Sequence, residues 1–311
     1  MFELLVNLIL TSLFLQAQAQ EQLTVKGLTS IEYRLPQAEI KKLQQTAPQK
    51  YNNSGSLGVA VSAQSVLVAD EKTGKVLYEK NSQEIRTIAS LTKLMTALVF
   101  LDHNPGWSSE IKILEADYHD GGISYLIAGE LVSVRDLFYA SLVSSSNEAT
   151  AALARSTGLN NADFVKAMNR KAEQLGLVST FFADVTGLSN DNKSTAADLA
   201  IMSQVAFLNS DINQAASLET YDLNIINKGL IRNIKSTDKI LNQAFGLADK
   251  IYQVEAGKTG YLEAAGYNFA SRVSDNSDRK ILVVVLGSET ALSRFADTKS
   301  LAYWVFNNYQ W

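Results

Sequence analysis

Strand-forming sequence sits at the two ends of this chain and helix-forming sequence fills the middle, and that arrangement most restricts the fold. Near the N-terminal side, LGVAVSAQSVLVAD (from Leu57) and KVLYEK flank Glu71-Lys72-Thr73-Gly74, a strand–turn–strand signal with glycine in the turn. Near the C-terminus, GYNFASRV and KILVVVLG are joined by the polar turn Ser274 to Arg279. Between them run helical patterns. Ser133-Val134-Arg135-Asp136 reads as a capping box for LFYASLV, NADFVKAMNRKAEQLG is an amphipathic helix stopped by Gly176, and Thr195 caps DLAIMSQVAFL. A last helix, SRFADTKSLAYWVF, follows the final strand. Strands from opposite ends must pair across the chain. The expected fold is therefore α/β of the α+β type, one mostly antiparallel sheet flanked by helices with an inserted helical subdomain.

The N-terminal segment has a different texture. LLVNLILTSLFL is an apolar run of twelve, too short for a membrane span, and Ala17-Gln18-Ala19 behind it suits signal-peptide cleavage before Gln20. Residues 1–19 thus read as a signal peptide, although Glu3 stands where Lys or Arg is usual, so an uncleaved anchor is the alternative. Residues 20–56, rich in Gln, Asn and Ser, read as a polar extension, and 57–311 as the folded domain.

Several chemistries are excluded by composition. The 311 residues carry a net charge of −4, with no Lys/Arg excess to neutralise phosphates, so nucleic acid is not an expected partner. There is no cysteine, which removes disulfides, thiol catalysis and Cys-ligated metals. Only His103 and His119 remain, so no multi-histidine metal centre is possible, and neither a metal nor a cofactor is expected. His119, in the polar stretch ADYHDGGIS, reads as a surface loop residue and His103 as the end of a helix.

A serine needs a base, and with so few histidines a neutral lysine is the available one. In TIASLTKLMTALVFL, Ser90 heads an apolar helical run and Lys93 lies three residues on, on the same helical face. The Ser-x-x-Lys spacing also occurs at Ser109, Ser236 and Ser277, and taken alone the Ser90 example equally describes an N-cap followed by a solvated lysine. Two more triplets narrow the choice. Ser145-Ser146-Asn147 lies between two helical runs, and Lys258-Thr259-Gly260, following Glu255-Ala256-Gly257, is expected to open a strand. Decoys exist, Lys72-Thr73-Gly74 in the hairpin and Ser274-Asp275-Asn276 in a late turn, but only one set has all three motifs in the order of active-site serine penicillin-recognising enzymes.

With those motifs, and with TGKVLYEKN, FVKAMNRKAEQLGL, TGLSNDNKSTAADLA, GKTGYLEAAGYNFA and RFAD around them, the chain resembles the low-molecular-mass penicillin-binding proteins, serine-type D-Ala-D-Ala carboxypeptidases and endopeptidases. The resemblance covers about residues 57 to 311. It implies a β-lactamase/transpeptidase-like domain with a five-stranded antiparallel sheet, and an exported protein at the periplasmic or extracytoplasmic face of a bacterial cell. It implies peptidoglycan stem peptides ending in D-Ala-D-Ala as substrate and β-lactams as covalent inhibitors. Because the sequence ends at Trp311, straight after the last helix, no C-terminal membrane anchor is expected.

The resemblance also assigns roles. Ser90 attacks the carbonyl between two D-alanines, Lys93 accepts its proton, and Ser145 relays a proton to the leaving amine. Asn147 binds the substrate amide, Lys258 and Thr259 hold the terminal carboxylate, and Gly260 lets the strand approach. The backbone N–H groups of Ser90 and Tyr261 form the oxyanion hole. Bringing a lysine near neutrality costs about 4 kcal/mol. A second ammonium, Lys258, at ~6 Å would supply about 3 kcal/mol of that. Carboxypeptidase action is the leading expectation, with endopeptidase action on D-Ala cross-links as the alternative. A β-lactamase is the further alternative, disfavoured because STFFADVTGLSNDN holds no glutamate for deacylation. A penicillin-binding sensor without turnover is the reading from outside catalysis.

Overall fold

The computed structural model describes residues 47–52, 55–119, 121–247 and 250–311. The segment read as a signal peptide, and most of the polar extension, lie outside the described residues.

Six antiparallel strands form the main sheet: β1 (Ser65–Asp70), β2 (Val76–Lys80), β3 (Ala244–Leu247), β4 (Lys250–Leu262), β5 (Gly266–Asp275) and β6 (Lys280–Ser288). Their order is β3-β4-β5-β6-β1-β2, so β6, from the chain's end, pairs with β1, from its beginning, with Val283 opposite Val68. The four-residue edge strand β3 is additional to the expected five. Leu57 to Gln64, expected to extend the first strand, is irregular, and β1 starts only at Ser65.

Both faces of the sheet are covered, which is why KILVVVLG reads as a continuous apolar run rather than an alternating one. Alternate side chains divide between two cores. Val66, Val68, Val283 and Val285 pack with Phe295, Leu301 and Val305 of the C-terminal helix. Leu67, Ala69, Leu282 and Val284 face the helical layer, where Leu94, Phe100, Phe138 and Phe164 are buried. That layer contains α1 (Thr92–Asp102), α2 (Val134–Val143), α3 (Asn147–Ser156), α4 (Asn161–Gln174), α5 (Ala196–Leu208) and α6 (Ser210–Ala216), with α7 (Ser293–Asn308) on the opposite face. The expected caps are in place: the Ser133 and Thr195 hydroxyls accept the backbone N–H of Asp136 and Asp198.

Short pairings tie the periphery together. Arg86–Thr87 pairs with Lys193–Ser194, Glu110–Lys112 with Leu131–Ser133, and Thr220–Ile225 with Leu230–Lys235. Gln49 and Lys50, within the described part of the polar extension, pair with Gln310 and Tyr309. Among the described residues no helix is long and apolar enough to cross a membrane, and no group of His, Asp or Glu is placed to hold a metal.

Candidate active site

Ser90 does not cap a helix. It lies half-buried in a single 3₁₀ turn, Ala89–Leu91, ahead of α1, and no side-chain hydrogen bond caps the start of α1 at Leu91. Ala89 before it has φ +50°, a left-handed conformation costly for a residue with a Cβ. Two backbone segments press on this turn. A Cβ on Gly260 of β4 would lie 2.9 Å from the Ile88 carbonyl oxygen and 3.2 Å from the Ser90 nitrogen. Gly187, in the loop before α5, is closer still. Glycine at 260 therefore lets β4 lie close against the Ser90 turn.

Lys93 follows one helical turn later and is fully buried. Its Nζ donates to Ser90 Oγ at 3.0 Å, Asn147 Oδ1 at 2.7 Å and the Thr186 carbonyl at 2.6 Å. Burial brings its pKa down to about 7, against the opposing pull of the Asp184 and Glu148 carboxylates. The partner set suits the neutral amine. In that form two N–H groups satisfy the amide and carbonyl oxygens, neither of which can donate, and the Ser90 contact reverses, its hydroxyl donating to the amine lone pair. Asn147 is held in that orientation because its Nδ2 donates to the Gly121 carbonyl at 2.8 Å.

The loop that carries Thr186 is built around Asp184. Its carboxylate accepts the backbone N–H groups of Thr186, Gly187 and Ser189, the Thr186 hydroxyl and Asn192 Nδ2, all at 2.5–2.8 Å. Burial alone would raise its pKa, but those donors outweigh it and the net shift is downward. From α1, Thr96 Oγ1 donates to the Val185 carbonyl at 2.6 Å, a second tie between the helix and this loop.

On the other side, Ser145 sits at the α2–α3 junction with φ +61° and accepts from Lys258 Nζ at 2.8 Å. Lys258 lies within β4 rather than at its start, is fully buried, and also donates to its neighbour's carbonyl, Thr259 O, at 3.1 Å. Burial, then Lys93 and Arg294, hold it well below the usual lysine range. The expectation that Lys258 supplies most of the Lys93 shift is therefore corrected: desolvation is the leading cause for both lysines, and the charges acting on Lys93 are the Asp184 and Glu148 carboxylates. Tyr261 is 51% exposed and stacks on Tyr267 at 4.3 Å between ring centroids.

The three motifs thus converge, and the decoys do not. Lys112 and Lys239, partners of Ser109 and Ser236, are exposed; Ser277 is exposed in a turn; and Thr73 of the first Lys-Thr-Gly is bonded to Asp70 inside the hairpin. His119 is exposed in a loop, and His103, also exposed, closes α1 as its C-cap. Three neighbours went unread. Thr259 Oγ1 donates to Thr237 Oγ1 at 2.7 Å, Arg294 Nη1 donates to the Gly260 carbonyl at 3.3 Å, and Asp238, pushed up to about 6 chiefly by burial, lies beneath Gly257. Arg294 is the arginine of the RFAD string; Thr237 and Asp238 lie in a polar turn with no distinguishing signal.

Residues 44–290 match the family profile described as D-alanyl-D-alanine carboxypeptidase. A D-alanyl-D-alanine endopeptidase of Haemophilus influenzae is 36% identical over 244 residues, covering 76% of this chain and 80% of that one. The D-alanyl-D-alanine carboxypeptidase DacF of Bacillus subtilis is 30% identical over 81% of this chain, which spans 64% of its length. Among solved structures, penicillin-binding protein D2 of Listeria monocytogenes in its cefotaxime-bound form is 29% identical with a TM-score of 0.68, over 81% of this chain and all of that one.

Proposed function

Because the chain belongs to the D-alanyl-D-alanine carboxypeptidase family, we propose that it hydrolyses D-Ala-D-Ala termini of peptidoglycan stem peptides through an acyl-enzyme on Ser90. The observation that carries this reading is the fully buried Lys93, with a pKa of about 7, its Nζ 3.0 Å from Ser90 Oγ.

Neutral Lys93 accepts the Ser90 proton as Oγ adds to the penultimate D-Ala carbonyl. The backbone N–H groups of Ser90 and Tyr261 receive the developing oxyanion, and Gly260 supports this by letting β4 lie close to the nucleophile turn. Lys258 and Thr259 hold the terminal carboxylate. Ser145, in hydrogen-bond contact with Lys258, passes a proton to the leaving amine, while Asn147 takes the substrate amide once it turns from Lys93. Water then releases the acyl group. β-Lactams present a carbonyl to the same serine and are expected as covalent inhibitors. A β-lactamase reading is disfavoured because Asp184, the carboxylate of the loop beside Ser90, has both oxygens occupied by loop donors.

Endopeptidase action on D-Ala cross-links is the second reading. It is favoured by the Haemophilus relative's name and by 80% coverage of its length, against 64% for the Bacillus carboxypeptidase. Incubation with purified cross-linked muropeptides and mass analysis separates them: released D-Ala marks the first activity, dimers converted to monomers the second, and unchanged muropeptides contradict both. Export belongs to the same proposal, and N-terminal sequencing of the mature protein should begin at Gln20.

A further inference from the structure

A cavity of about 670 Å³ opens beside the serine centre, between the loop around Tyr118–Ser124 and the loop around Asp184–Leu188. It adjoins the centre through Gly121, whose carbonyl accepts from Asn147, and Thr186, whose carbonyl accepts from Lys93. The carboxylate-holding side of the site, Lys258, Thr259 and Ser145, contributes nothing to its lining.

Glu148 sets the character of this cavity. It is 4% exposed and follows Asn147 directly in α3. Its Oε1 accepts the backbone N–H groups of Tyr125 at 2.5 Å and Leu126 at 3.1 Å; Oε2 accepts no hydrogen bond among the described residues. Two other polar side chains of the wall are engaged, and His119, Ser124 and Asn161 also belong to its polar lining. Both Asp184 oxygens serve their own loop, and the Tyr118 hydroxyl donates to the Leu126 carbonyl and accepts from Ala128 N–H. Among the described residues no lysine or arginine lines the cavity. When Lys93 works as a neutral base, no lysine or arginine among the described lining residues compensates the Glu148 and Asp184 carboxylates, and a buried charge without a partner is costly. Val185 and Leu188 offer apolar wall for a methylene stem.

We infer that this cavity is a subsite for an ammonium-bearing side chain of the peptide substrate, with the free oxygen of Glu148 as its hydrogen-bonding counter-charge. The inference rests on the D-Ala-D-Ala reading above and adds what the enzyme reads upstream of the cut. A stem peptide that becomes cross-linked through a D-Ala carbonyl needs a partner stem with a side-chain amine to receive the link. Since D-Ala-D-Ala is the terminus, any such amine lies on the acyl side of the scissile bond. The cavity adjoins the centre on the Asn147 side, where that part of the peptide would run.

The test is competition against fluorescent-penicillin labelling, which needs no turnover of the competitor. Three peptides ending in D-Ala-D-Ala are compared on the unmodified protein, with an upstream lysine that is free, Nε-acetylated or Nε-succinylated. The free-amine peptide should slow labelling at about tenfold lower concentration than the acetylated one, and the anionic peptide should be weakest. In Glu148→Gln, which keeps an acceptor for Tyr125 and Leu126 but not the charge, the three should compete alike. Equal competition on the unmodified protein overturns the subsite, and so does a preference that survives in Glu148→Gln. Absence of penicillin labelling in the unmodified protein is a different result: it brings down the serine centre itself.

Discussion

A Cβ on Gly187 would stand 2.2 Å from the carbonyl oxygen of Ala89, the residue before Ser90. The Asp184 loop is thus seated on the turn that presents Ser90, and only glycine, here with φ +89°, permits the contact.

Gly187→Ala should therefore act on catalysis beyond its effect on stability. The added methyl has backbone on its far side and cannot be accommodated by a side-chain rotation, so the turn must move. A displacement near 1 Å is expected to slow penicillin acylation about 100-fold, while overpacking and the strained φ cost about 2 kcal/mol in chemical denaturation. Unchanged labelling with normal stability would show that the turn does not depend on this contact.

Acylation should rise with pH through about 7, because the base form of Lys93 is the neutral one and its pKa is brought down to about 7. Burial is the leading cause, so Lys258→Met should weaken substrate binding yet leave this limb almost in place. A large upward move of the limb in Lys258→Met would restore the second lysine as the controlling charge.

Asp184→Asn should shift the same limb toward acid. The Asp184 carboxylate favours protonated Lys93, so its removal makes the proton easier to lose. The amide also turns an N–H₂ group toward Ser189 N–H or Asn192 Nδ2, and the loop should lose about 3 kcal/mol. The pH–rate profile and a denaturation curve measured on one preparation separate the two effects.

Lys93 should also leave a signature in stability. The unfolded chain keeps the Lys93 proton up to the ordinary value of 10.5, whereas the folded protein releases it above about 7. Between those values the unfolded state binds more protons, so stability rises with pH by about 1.4 kcal/mol per unit, measured against Lys93→Met. Parallel stability curves for the two proteins would mean that folded Lys93 has an ordinary pKa.

The parts of the molecule that depend on neighbours in sequence were legible in the sequence. The Ser133 and Thr195 caps, the Glu71–Gly74 hairpin turn and the strand run of β6 are set by local hydrogen bonding and by burial pattern, and they stand where expected. What escaped is imposed from a distance. Ala89-Ser90-Leu91 has ordinary helical propensity, yet Gly187 and Gly260 press it into a 3₁₀ turn with a left-handed alanine. Thr237 and Asp238 carry no local signal and Arg294 none beyond the RFAD string, yet Asp238 and Arg294 are buried where α7 and β4 meet this region. The short edge strand Ala244–Leu247 has only its pairing to β4 to define it, and nothing in four residues announces that.

The most direct test of the serine centre is the site of covalent attachment. After reaction with a penicillin, intact-mass measurement followed by peptide mapping should place a single adduct on Ser90. Ser90→Ala should carry none and should remain folded, because the Ser90 hydroxyl caps no helix. An adduct on Ser109, Ser236 or Ser277, or a Ser90→Ala protein that still labels, would contradict the account.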